Sequence, residues 1–177
     1  MPPSLSMLLP PIHLLTYGTL LGTTCYQTFI VTKITFAALP RSAFTSLQKK
    51  LFPVYFQAQT LLAFMLVGTH PKWLGVNGGI LNLSSWEAGI LGAAMGLILL
   101  NAMHLGREVG RIMVERVHQE TRDKVSSEKG NGEVAAEIMV GLNKTFRRVH
   151  ALSLHVNLGV VIALVGYGVV LSGRMSW

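Results

Sequence analysis

Two polar triplets set in apolar sequence hold the side chains best suited to chemistry. Asn101, His104 and Glu108 fall at i, i+3 and i+7, which an α-helix presents on one face. His150, Ser153 and Asn157 repeat that spacing. Imidazole ligates metals and titrates near neutrality, so His104 and His150 are candidate metal ligands or general bases, with Asn157 placed to orient a substrate. Gln27, Tyr55, Gln57 and Gln59 are further neutral donors and acceptors for a binding site, while His155 stands one position off the favoured face. Neutral Asn, Gln and Ser also serve as hydrogen-bonding glue between membrane helices, and spacing alone leaves both roles open.

The elements that position these residues follow from composition. Half of the 177 residues are apolar and only 13% are charged, against roughly 25% in soluble proteins. The mean hydropathy of +0.47 agrees. This imbalance calls for a bilayer as solvent, and the expected fold is an all-α polytopic membrane four-helix bundle in a single domain, residues 1–177. The spans are expected at about 12–39, 51–69, 84–105 and 150–171, with Pro53 in the first turn of the second. Past Leu105, apolar residues keep helical spacing while Arg107, Arg111, Glu115 and Arg116 fill the other face. An amphipathic pattern returns at Val134, Ile138, Leu142 and Phe146, so residues 106–149 read as a helical hairpin stalk with a flexible tip at 126–133. His70-Pro71-Lys72 and Asn77-Gly78-Gly79 mark a loop, and Ser84-Ser85-Trp86-Glu87 a capped helix start.

Lys and Arg distribution sets an orientation. The loops after the first and third spans hold twelve of the fourteen cations other than Lys33, which places them and the stalk in the cytoplasm and both termini in the lumen or outside the cell. Residues 1–10 carry no Lys or Arg and the next apolar run is too long for a signal peptide, so the first helix itself is expected to target the chain. The net charge of +7 does not point to nucleic acid, because no basic cluster is interleaved with exposed aromatics. The single cysteine, Cys25, excludes an intrachain disulfide and reads as a small core residue. His13 and Tyr17, at i and i+4, read as interfacial belt residues, and Gly18-x-x-x-Gly22 and Gly92-x-x-x-Gly96 as close helix contacts. Neither Asn82-Leu83-Ser84 nor Asn143-Lys144-Thr145 is expected to carry a glycan.

Several stretches carry a family resemblance. His13-Leu14-Leu15, Phe36, Leu39-Pro40-Arg41, Phe44 and Gln48-Lys49-Lys50-Leu51-Phe52-Pro53-Val54-Tyr55-Phe56 resemble the first half of the transmembrane protein 205 family, a domain of unknown function. Trp86-Glu87-Ala88, Asn101-Ala102, Leu105, Phe146, His150, Leu152-Ser153 and Asn157-Leu158-Gly159 follow that family's order. Gly106 stands beside a position where relatives are expected to start a helix with proline. The resemblance implies a four-helix protein of the endoplasmic reticulum, other endomembranes or the plasma membrane, linked with drug tolerance and secretory traffic. It implies His13, Lys50, Pro53, Tyr55, Asn101, His150, Ser153 and Asn157 as family pattern, without a catalytic residue.

Two functions from different classes follow as expectations. The first is non-enzymatic: binding of a small molecule, lipid or partner within the bilayer, with no cofactor, a protein partner at the stalk and a homo-oligomer left open. The second is a small membrane oxidoreductase or oxygenase of a fungal biosynthetic pathway, handling haem or copper or resembling the anthrone oxygenases. A transporter ranks below both, for want of midplane charges and broken helices.

Overall fold

Leu39 and Pro40 decide how the chain first turns. A proline disfavours helical geometry in the residue before it, and Leu39 is extended, with φ −111° and ψ 143°. The helix α2, Thr32–Ala38, ends there and α3, Arg41–Gly68, begins directly after Pro40. The computed structural model describes residues 5–70, 85–127 and 132–173, all helical apart from short turns. Ahead of α2 lies α1, Leu5–Tyr26, joined to it by a π turn over Gln27–Val31. After α3 come α4, Ser85–Leu100, a second π turn over Asn101–Leu105, α5, Gly106–Ser127, and the long α6, Gly132–Ser172.

This is an all-α membrane protein. Among the described residues, three helical stretches are long and apolar enough to cross a bilayer: Arg41–Gly68, Trp86–Asp123 and Ala136–Ser172. The first helical stretch, which holds the residues of the expected span over 12–39, is not one of these three. Its many threonines, with His13, Gln27 and Lys33, dilute its hydropathy. It nevertheless packs on α3 and α6. One difference from the sequence reading concerns Pro53. Because α3 starts at Arg41 rather than near Leu51, Pro53 falls inside the helix and not in its first turn. Membrane helices tolerate such prolines.

The packing suits lipid outside. Leu61, Ile162 and Val169 point outward at 62%, 66% and 69% exposure, while His13, Gln48, Gln59, Glu87 and Asn101 are buried. Water would favour the reverse, so the surrounding medium is apolar. Leu20, Leu66, Leu91, Ile98, Val160, Leu164 and Tyr167 form the apolar core between α1, α3, α4 and α6.

Beyond the core, α5 and α6 continue together as the expected hairpin, with Val109, Ile112 and Met113 buried. Its solvent side carries an Arg111–Glu108 ion pair at 2.5 Å, one turn apart. Trp86 is exposed at the start of α4, as an interface residue should be. The loop signals at residues 71–84, with the Asn82-Leu83-Ser84 sequon and Ser84 as a cap, lie outside the described residues, as does the centre of the expected tip at 128–131.

Candidate functional site

The two π turns face each other across one cavity. A π turn inserts an extra residue into an α-helix, which frees a carbonyl and rotates the chain beyond it by roughly 100°. In the first turn, Thr32 Oγ1 donates to the Gln27 carbonyl at 3.2 Å. In the second, the Gly106 backbone N–H donates to the Asn101 carbonyl. Gly106 is required here: a Cβ would stand 2.6 Å from a Phe56 ring carbon and 2.9 Å from the Asn101 carbonyl oxygen. Between the turns lies a cavity of about 70 Å³, reached by Gln27, Thr28, Tyr55, Asn101, His150, Ser153 and Asn157, with Phe52, Phe56 and Leu154 as apolar walls.

Its polar wall is a network that joins three helical stretches. Tyr55 Oη donates to Asn157 Oδ1 at 3.1 Å, and Asn157 Nδ2 donates to Thr28 Oγ1 at 2.6 Å. Gln59 Nε2 lies within reach of Tyr55 Oη, Asn157 Oδ1 and Thr24 Oγ1, at 2.9, 3.2 and 3.2 Å. Thr24 and Thr28 pass their own protons to carbonyls one turn earlier, Leu20 at 2.7 Å and Thr24 at 2.6 Å, so both hydroxyl oxygens are left as acceptors. On the second π turn, Ser153 Oγ donates to Asn101 Oδ1 at 2.6 Å while Asn101 Nδ2 donates to the Ser153 carbonyl at 3.2 Å. Each amide is thereby fixed in orientation.

Two buried atoms stay unused here, Gln27 Nε2 as a donor and Gln59 Oε1 as an acceptor. Gln27 lines the cavity and is 7% exposed, and its buried Nε2 has no hydrogen-bond partner. An unpaired buried N–H costs about 1–3 kcal/mol. A site made of neutral donors and acceptors, with a spare donor and apolar walls, can hold an uncharged molecule by its hydrogen-bond acceptor.

The other candidates from sequence distribute as follows. Gln27, Tyr55, Asn101, His150, Ser153 and Asn157 meet at the cavity. His150 lies stacked on Phe146, with ring centroids 5.3 Å apart and planes at 5°. Gln57 is exposed on the outer face of α3, and Gln59 occupies the inward position instead. His104 is exposed and does not line the cavity with His150, because the π turn carries it off the face of Asn101. His155 is exposed and bonds the Ala151 carbonyl at 2.6 Å. Lys50 and Pro53 are exposed on α3. Among the described residues, no three His, Cys, Asp or Glu side chains converge as a metal would require. Thr24, Thr28 and Thr32 were not candidates from sequence, although their spacing of four residues marks one helical face.

At the opposite end of the bundle, the belt reading of His13 is overturned. His13 is 1% exposed, with Nε2 at 2.6 Å from Tyr167 Oη and Nδ1 at 3.2 Å from Thr69 Oγ1. Thr69 donates its proton to the Met65 carbonyl at 2.7 Å, so it accepts from His13 Nδ1–H, and Tyr167 donates to Nε2. His70 packs edge-on against His13 with centroids 5.2 Å apart. This arrangement locks α1, α3 and α6 together.

Comparison with known proteins adds two matches. Residues 15–118 match a family model described as a domain of unknown function, DUF4149. A protein of Aspergillus fumigatus named xanthocillin biosynthesis cluster protein D is 34% identical over 167 residues, covering 93% of this chain and 90% of the relative. No solved structure matches the chain.

Proposed function

This chain belongs to the DUF4149 family, and from that premise we propose that it is a binding protein of a biosynthetic pathway, working inside a membrane. The name of the Aspergillus relative supports the pathway setting. The ligand is neutral and amphiphilic. Its small polar end, a carbonyl or similar acceptor, enters the cavity and takes the N–H of Gln27, while its apolar part extends past Phe52, Phe56 and Leu154. A space of about 70 Å³ holds only such an end, since whole drug-sized ligands occupy roughly 300–1,000 Å³.

The observation that carries this reading is Gln27, a residue lining the cavity between two π turns, whose buried Nε2 is unpartnered. Helix glue alone would leave each buried donor paired. The test is equilibrium binding of a long-chain fatty-acid methyl ester, and of the alkane of equal length, to the protein in phosphatidylcholine nanodiscs. Saturable binding of the ester, with none of the alkane, is expected. Equal uptake of both would refute a polar subsite.

A second reading, a small membrane oxygenase or oxidoreductase, draws on His150, whose imidazole shares the cavity with Tyr55 and Asn157 and could act as general base to a bound substrate. Turnover of a pathway intermediate that His150→Gln abolishes without loss of binding would select it.

The same proposal includes the transmembrane protein 205 resemblance, four spans with the first helix as one of them, and a single domain with both termini on the luminal or outer side. Positive charge on the stalk supports this orientation. Reporters fused within 126–133 should read as cytoplasmic, and a luminal signal would invert it.

A further inference from the structure

A second concavity lies away from the polar cavity, where the apolar spans give way to the charged hairpin. Its volume is about 1180 Å³, and its walls come from the end of α2, the start of α3, and facing turns of α5 and α6. Three arginines from three different helices line it, Arg41, Arg116 and Arg147, against a single acid, Glu120. None of the three forms an ion pair with a described carboxylate; Arg111 and Glu108 of α5 pair with each other outside the groove. Arg116 is held with its guanidinium carbon 4.6 Å from the centre of the Phe146 ring, and its buried Nε has no partner. Cations gathered with donors to spare need an anion. The remaining walls set polar Ser42, Thr45, Ser46 and Asn143 beside an apolar side, where Phe36 and Phe44 stand edge to face at 5.3 Å next to Leu39.

We propose that this groove binds the headgroup of an acidic phospholipid, with the phosphate between Arg41, Arg116 and Arg147 and the upper acyl chains along Phe36 and Phe44. Charge complementarity and position argue for a lipid. A soluble anion has no use for an aromatic wall, and the groove reaches Arg147, just before the apolar run of α6 begins, the level at which headgroups would meet the helix. Planar guanidinium groups suit phosphate oxygens, which they bind through paired N–H donors. The lipid would tie the base of the hairpin to the span ends and fix the depth at which the protein sits.

The test is native mass spectrometry of the full chain in micelles doped with phosphatidylserine or with phosphatidylcholine of the same acyl chains. One phosphatidylserine per chain should be retained in preference to phosphatidylcholine. Arg41→Gln and Arg147→Gln, both at exposed positions, should each weaken retention about fivefold and together roughly 25-fold, from the ~1 kcal/mol that each cation contributes near an anionic surface. Arg107→Gln, exposed and outside the groove, serves as the control and should change nothing. Equal retention of both lipids, full retention by the double variant, or an equal loss in the control would overturn the proposal. Displacement of the lipid by millimolar inorganic phosphate would reassign the site to a soluble anion.

Discussion

Replacing Gln27 with leucine should stabilise the empty protein while removing its ligand binding. The side chain is buried, and its Nε2 makes no hydrogen bond. An unpaired donor in the interior costs about 1–3 kcal/mol, and the lower end applies in a membrane, where the unfolded reference also lacks water. Leucine has similar volume and no polar atom, so the variant should gain about 1 kcal/mol. For a chain of this length that corresponds to a rise in Tm of roughly 2–4 °C. The assay is reversible unfolding in mixed micelles, followed by loss of helical circular dichroism, alongside ester binding in nanodiscs. A stabilised variant without binding is the signature of a site that keeps a donor free for a ligand. If Gln27→Leu instead destabilises the protein by 1 kcal/mol or more, the side chain is structural glue and the reasoning fails.

Three further substitutions probe the frame around the site. Asn157→Leu removes the bonds to Tyr55, Gln59 and Thr28, so at ~0.6 kcal/mol each it should lose about 2 kcal/mol in the same unfolding assay. Gly106→Ala forces a methyl group against Phe56 and the Asn101 carbonyl; destabilisation of about 1–3 kcal/mol and weaker ester binding are expected, and a neutral result would show that the π turn yields freely. Tyr167→Phe leaves His13 Nε2 without its 2.6 Å donor. It should cost about 1 kcal/mol in thermal unfolding while leaving ester binding intact, because the two clusters lie at opposite ends of the bundle.

Much of the site was legible because helical periodicity survives in lipid. The i, i+3, i+7 spacing of His150, Ser153 and Asn157 runs through uninterrupted α6, and Asn157, Ser153 and His150 do share the cavity. The same spacing misled for Asn101 and His104, since the π turn between them changes the phase and leaves His104 outside. No residue type in that stretch announces an i→i+5 turn. Choosing between Gln57 and Gln59 depended on the rotational phase of α3, which only its packing on α1 and α4 sets. His13 and Tyr167 are 154 residues apart, and a lone histidine near a helix start carries no sign of so distant a partner. The all-α membrane fold, by contrast, follows from composition alone, and the extension of α5 and α6 into a hairpin from the return of amphipathic spacing.

On the proposed function, the cavity between the two π turns receives the polar end of a neutral amphiphile. Photolabelling tests it most directly: a fatty-acid methyl ester with a diazirine beside the ester group, bound to the nanodisc-embedded protein, irradiated and mapped by peptide mass spectrometry. Labels confined to residues 27–32, 52–56 and 150–157, competed by unlabelled ester and lost in Gln27→Leu, are expected. Labels spread over the outward faces of α3 and α6, unchanged by competitor or by the substitution, would contradict the proposed function.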